Sequence, residues 1–270
     1  MEALTLGPLV LPLSRLPGLI ALIILLAGSE LLNKRHPGLA RWGWLTALVA
    51  TLGARLVYAA GAPSAYLSEP WTLLYFWQPG FSVWGAILSA AIFTGFYLAK
   101  KPTLLPSGLT NLGIASIMGL ALLLLTPGNQ FTSEHLPDQA FTNLDGEEQL
   151  LTEFQGKPLI VNMWATWCPP CRREMPMLAS FEQDDRVQLI MINQGESLVA
   201  VDQFLRSQNL SFSAVLMDIH QKAGRLFRAP GLPATVFYNA KGEQVDRHFG
   251  ELSRAQIEKF INQQTNLLDN

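Results

Sequence analysis

Val161-Asn162-Met163-Trp164-Ala165-Thr166-Trp167-Cys168-Pro169-Pro170-Cys171-Arg172-Arg173-Glu174-Met175-Pro176 is the stretch on which the reading of this chain turns. It opens in a short apolar run, Leu159–Trp164, fit for a buried strand. It continues into Cys168–Phe181, where Met175, Leu178 and Phe181 share one side at helical spacing. The cysteine pair therefore falls where a strand hands over to a helix. The spacing puts Cys168 in the first helical turn and Cys171 one turn later on the same side, so the sulfurs can bond without backbone movement. Unpaired N–H groups and the positive end of the helix dipole favour a thiolate at Cys168, and the thiolate is the nucleophile. Pro169 and Pro170 are tolerated there because first-turn N–H groups have no helical partner. In thiol–disulfide exchange Cys168 would attack a substrate disulfide, and Cys171 would then attack Cys168 and release the reduced substrate.

Cys168 and Cys171 are the only cysteines in 270 residues, too few for a disulfide scaffold. Zinc would need two more ligands. No second C-x-x-C or H-x₃₋₅-H exists, and His36, His135, His220 and His248 are scattered. A four-residue loop gains little as a structural staple. Redox chemistry is the expectation, with no metal and no cofactor.

On either side of this stretch, strands and helices mostly alternate. A hairpin is expected around Asp145-Gly146, strands at 187–192, 214–217 and 234–238, helices at 198–206 and 219–228, and a turn at 239–242 into strand 243–249. Ser253 is expected to cap a final helix running to about 266. The order predicts an α/β domain with a mixed sheet.

The first 126 residues differ in kind. They hold seven Lys/Arg, three Glu and no Asp, while residues 127–270 hold twelve basic and eighteen acidic side chains. The formal charges are about +4 and −6, summing to −2. Four apolar segments, 16–32, 43–61, 81–99 and 108–126, predict an all-α domain of about four transmembrane helices, since a bilayer core needs about 20 apolar residues per helix. The first is read as a retained helix, because Met1-Glu2-Ala3 lacks a basic leader and no clear small-residue cleavage site follows. Lys34, Arg35 and Arg41 follow segment one, and Lys100 and Lys101 follow segment three. The loop 62–80 has no Lys or Arg. Positive loops stay in the cytoplasm, so the N-terminus and residues 127–270 are expected outside. The expected division is a membrane anchor at 1–126, a polar linker at 127–138 and an extracytoplasmic domain at 139–270. Nothing in the charge pattern points to nucleic acid. Arg55, inside an apolar segment, is a candidate functional residue. The competing reading, taken as the stronger, places it near the outer end, snorkelling to lipid headgroups.

Two resemblances appear. Gly53-Ala54-Arg55-Leu56-Val57-Tyr58 and Gly80-Phe81-Ser82-Val83-Trp84-Gly85-Ala86 resemble the Gly-x-Arg-x-x-Tyr and Gly-x-Ser-x-His-Gly-Gly segments of prolipoprotein diacylglyceryl transferase. The family's His is Trp84 here and its later arginine-bearing helices are missing. The likeness therefore implies an anchor, or a lipid- or partner-docking platform, with no transferase activity. The quoted stretch 161–176, with Gly231-Leu232-Pro233-Ala234-Thr235, resembles the TlpA/ResA/DsbE branch of thioredoxin-like proteins over about 139–266.

That second resemblance implies a thioredoxin fold, a cis Pro233 facing the cysteines, and a Leu232 backbone that hydrogen-bonds an extended substrate chain. Trp164 and Trp167 read as packing and rim residues, Trp167 on the substrate side. Where thioredoxin has a buried Asp, this chain has Asn162. Glu174 lies one turn beyond Cys171, where a partly buried carboxylate can take and return the resolving thiol's proton. Its charge would also oppose a thiolate, which favours a reductant. The alternative is a solvated Glu174 paired with Arg172 or Arg173. The resemblance implies disulfide-bearing client proteins such as apocytochrome c or copper-site cysteines. With no cysteine in the first 126 residues, a separate transmembrane electron donor of the DsbD/CcdA kind is expected. The expected place is the bacterial inner membrane, with residues 127–270 in the periplasm. Oxidase or isomerase activity, copper delivery by the thiol pair, and a membrane scaffold with a vestigial redox head stay open.

Overall fold

The computed structural model describes residues 3–6, 9–12, 16–76, 78–125 and 134–268. The chain divides into two compact units, Met1–Asn129 and Gln130–Asn270.

The first unit opens with an antiparallel ribbon, β1 (Ala3–Leu6) and β2 (Leu9–Pro12). Four apolar helices follow: α1 (Leu16–Asn33), α2 (Leu39–Ala60), α4 (Val83–Ala99) and α5 (Leu105–Leu125). A short helix, α3 (Pro63–Ser68), and a 3-10 turn, Pro70–Leu74, fill the connection between α2 and α4 that the sequence presented only as a loop. The helices α1, α2 and α5 are long and apolar enough to cross a membrane, and α4 is shorter at 17 residues. Small residues let the helices approach. A Cβ on Gly53 of α2 would collide with Ser89 of α4, and one on Gly28 of α1 would collide with Asn111 of α5. Asn111 Nδ2 donates to the Leu25 carbonyl at 3.0 Å, pinning α5 to α1.

In the second unit one mixed seven-stranded sheet has the order β4-β3-β7-β6-β5-β8-β9. The strands are β3 (Ala140–Asn143), β4 (Glu148–Leu150), β5 (Leu159–Trp164), β6 (Gln188–Gln194), β7 (Val215–Asp218), β8 (Ala234–Tyr238) and β9 (Gln244–Phe249). The strands β5, β6 and β7 run parallel; β8 is antiparallel to β5 and β9, and β3 antiparallel to β7 and β4. All six residues of β5 are buried, as its unbroken apolar run requires of a strand covered on both faces. One face packs Ile160 and Trp164 against Met175 and Leu178 of α6 (Pro169–Ala179), Val201 and Leu205 of α7 (Leu198–Ser207), and Ile257 and Phe260 of α9 (Arg254–Leu268). The other packs Val161 and Met163 against Leu151, Phe154 and Ala223. Fully burying such an apolar side chain stabilises the fold by about 1.5–3 kcal/mol.

Three expectations are corrected. The linker is shorter than read. Residues 127–133 lie outside the described residues, but His135 pairs with Glu243 and Leu136 is buried, so 134–138 belong to the second unit. The helix expected at 219–228 shrinks to α8 (Lys222–Leu226), because the buried Asp218 carboxylate captures the Lys222 and Ala223 N–H groups and starts the helix late. Cys168 is the N-cap of α6 rather than part of its first turn.

Candidate active site

Strand β5 ends at Trp164, and the turn Ala165-Thr166-Trp167 carries the chain to α6. Cys168 caps that helix, with Pro169 and Pro170 as its first residues. Cys168 and Cys171 are joined as a disulfide with Cα atoms 5.3 Å apart. The Cys171 N–H points at Cys168 Sγ, 3.3 Å away, the donor that would stabilise a thiolate there. Cys168 is 3% exposed and Cys171 is fully buried.

The register of β5 against β8 pairs Met163 with Ala234, which brings Pro233 alongside the end of β5. The Leu232–Pro233 peptide is cis, as the resemblance implied. Pro233's carbonyl accepts from Gly250 N–H at 2.9 Å. Leu232 packs against both core clusters, and among the described residues its own N–H and C=O form no hydrogen bond. Trp167 is 66% exposed at the rim, whereas Trp164 is entirely buried.

Glu174 is not the solvated surface residue of the alternative reading. It is 2% exposed, and Arg173 pairs instead with Glu251 at 2.7 Å. Its Oε1 accepts from Asn162 Nδ2 at 2.8 Å and its Oε2 from Leu252 N–H at 2.8 Å. Asn162 Nδ2 also reaches Thr235 Oγ1 at 3.0 Å. Burial pushes the Glu174 carboxyl up to about 8, against the pull of the Leu252 and Asn162 donors; Glu251 adds to the rise and Arg173 opposes it. At neutral pH the group is mainly a neutral acid, one helical turn from the resolving sulfur.

A carboxylate that sequence reasoning passed over also belongs here. Glu196, after β6, accepts from Thr166 N–H at 2.7 Å, from Thr166 Oγ1, and from Asn193 Nδ2 at 2.8 Å. The only local signal was a polar Asn193 closing the apolar run of β6 just before Gly195-Glu196-Ser197.

In the helical unit Arg55 is 3% exposed, which corrects the snorkelling reading. Its guanidinium donates to five backbone carbonyls, those of Thr72, Leu73, Tyr75, Pro79 and Gly80, at 2.7–3.3 Å. That uses all five donors of the side chain. The Tyr66 and Phe81 rings lie 5.5 and 5.2 Å from it. The two segments singled out in sequence therefore meet: Arg55 of the first binds Gly80 of the second, and Ser82 N–H donates to Ala54 O at 3.0 Å. Trp84, in place of the transferase His, is exposed.

A disulfide at the N-cap of the helix after a central parallel strand, with a cis-proline leading into the neighbouring antiparallel strand, defines a thioredoxin-fold disulfide oxidoreductase. The AhpC/TSA family matches residues 132–245, and the prolipoprotein diacylglyceryl transferase family matches residues 18–135. Thiol-disulfide oxidoreductase ResA of Geobacillus kaustophilus is 30% identical over 128 residues, 46% of this chain and 73% of that protein. ResA of Halalkalibacterium halodurans is 31% identical over 164 residues, 56% of this chain and 91% of that protein. The crystal structure of a secreted Mycobacterium tuberculosis disulfide oxidoreductase homologous to E. coli DsbE is 26% identical, with a TM-score of 0.42 over 47% of this chain and 96% of that one. The chain belongs to the ResA-type thiol-disulfide oxidoreductases, with a transferase-like helical unit fused at its N-terminal side.

Two outcomes are expected. The folded chain holds the Glu174 proton more tightly than the unfolded chain, whose carboxyl has its ordinary value near 4.5. The contribution of Glu174 to stability is therefore fully present below about 4.5 and is lost as pH rises through about 8. Pulse proteolysis of the C-terminal unit between about pH 5 and pH 9 will show that loss, and Glu174→Gln will flatten it. Arg55→Lys, with at most three donors, will free the connection 69–82 for protease cleavage in the detergent-solubilised protein, and Arg55→Ala will do so further.

Proposed function

We propose that this protein is a membrane-anchored reductase of selected disulfides on the outer face of the bacterial inner membrane. The observation that carries the direction is Glu174, a carboxyl buried one turn from Cys171. Reduction of a client begins when the Cys168 thiolate attacks a client sulfur; a mixed disulfide forms and one client thiolate leaves. Cys171 must then lose a proton to attack Cys168. In its ionised form Glu174, one helical turn away, can take that proton. As Glu174 ionises, around pH 8, its charge disfavours a thiolate beside it, and the reduced pair becomes the less stable, electron-giving state. Leu232 offers its free N–H and C=O to an extended client strand, with Pro233 and Trp167 framing it.

The anchor reading rests on the three long apolar helices, on α4, and on Lys34, Arg35, Lys100 and Lys101 in the connections α1–α2 and α4–α5, with Arg41 in the first turn of α2. That pattern supports an orientation with the N-terminus and the C-terminal unit outside. The helical unit has no cysteine, so electrons reach the outer face from a separate transmembrane donor of the DsbD/CcdA kind. Clients of cytochrome c maturation or of metal-site assembly fit such a specialised reductant.

Replacing Cys171 with Ala will leave a persistent mixed disulfide on Cys168, and the attached protein identifies the client. The reductase reading requires the Cys168–Cys171 pair to have a potential near or below that of thioredoxin, about −270 mV. A potential near about −120 mV, with the protein oxidised in cells, would overturn it.

A further inference from the structure

Parallel pairing sets Asn193 beside Trp164 at the ends of β6 and β5. Asn193 is fully buried and spends its amide on Glu196. Both oxygens of Glu196 face back toward the nucleophile's own loop: one takes the Thr166 N–H, the other the Thr166 hydroxyl. Thr166 is two residues before Cys168. The turn it belongs to has one internal bond, Cys168 N–H to Ala165 O at 3.2 Å, and Glu196 is its tie to the next strand. Glu196 is itself held on both sides. Gly195, at φ 74°, reverses the chain and donates to Asp218 O at 2.9 Å, and a Cβ there would press on Gln221. Ser197 caps α7, accepting from Ala200 N–H at 3.3 Å.

Two Asn–Glu pairs thus stand on adjacent strands. Asn162–Glu174 lies under the helix after Cys171, and Asn193–Glu196 lies under the turn before Cys168. The first is one helical turn from the sulfurs. The second reaches them only through Thr166 and the turn.

We propose that Glu196 is a positioning residue that fixes the 165–167 turn and thereby sets the rim, with Trp167 at its tip, against which a client polypeptide docks. The inference rests on the reading of Cys168 as the attacking sulfur. Released from Glu196, the turn keeps its disulfide chemistry and loses its fixed shape. Its effect falls on recognition of a polypeptide, and a small disulfide that needs no rim is insensitive to it.

The test uses the full detergent-solubilised chain with a fixed reductant, comparing a disulfide-bonded protein substrate with a small aromatic disulfide. Glu196→Ala is expected to raise KM for the protein substrate about tenfold, the size of one charge-assisted hydrogen bond, with kcat nearly unchanged. The rate with the small disulfide is expected to stay within about twofold. Glu196→Gln, which keeps one acceptor oxygen, restores part of the KM. Thr166→Val, which removes the hydroxyl at constant shape, gives a smaller rise that does not add to that of Glu196→Ala. An unchanged KM in Thr166→Val and Glu196→Ala overturns the proposal, and so does an equal loss with both substrates. Should Glu196→Ala fail to fold, Thr166→Val decides alone. Cys168→Ala is the separate control: if it still turns over either substrate, the reading of the sulfur fails, independently of Glu196.

Discussion

The redox site depends on a carboxyl group withdrawn from water. Glu174 projects from α6, and its two oxygens are met by a side chain of β5 and by the backbone at Leu252, between β9 and α9. Through Asn162 the same chain of bonds continues to Thr235 on β8. One buried group therefore fastens the cysteine-bearing helix to the strand before it, to the strand carrying the cis-proline, and to the last turn of the domain. Fixing α6 in this way fixes the cap position of Cys168 and the depth of Cys171. A charged carboxylate at this depth is costly, and the protein meets that cost by two donor bonds and by holding the proton to unusually high pH.

The helical unit solves a similar problem with the opposite charge, and among the described residues its buried arginine has no acidic partner. Arg55 is balanced by carbonyl dipoles, all contributed by the connection between α2 and α4, and by the faces of Tyr66 and Phe81. That connection winds around the guanidinium. Gly80 is required in the winding: it stands at φ 132°, and a Cβ there would run into Arg55, Tyr58 and Tyr66. With every N–H engaged, the arginine has no donor left for a phosphate group. The likeness to the transferases survives as an architecture whose central cation now supports the fold.

Local patterns carried most of the fold. The apolar run 159–164 and the helical spacing of Met175, Leu178 and Phe181 each report on a single element, so β5 and α6 were legible, as were the cysteines between them. Pro233 was legible through its neighbours Gly231 to Thr235. What failed depended on distant partners. The partly buried Glu174 was expected from its place one turn past Cys171, but its partner at Leu252, 78 residues along the chain, was not. Glu196 went unread because its partner Thr166 lies 30 residues back. Arg55 looked like a lipid-facing side chain because its five acceptors are backbone atoms, which leave no mark in a sequence. The shortening of α8 came from Asp218, a strand residue that also serves as a cap.

The depth of the two sulfurs limits what this enzyme can service. With Cys168 barely reaching the surface and Cys171 below it, a target cystine has to come to the protein on a thin, extended thread of chain. A cystine locked inside a finished globule cannot present itself in that way. The burial of the pair therefore acts as a filter: a cystine on open chain can be presented to Cys168, and one enclosed by a folded protein is left alone.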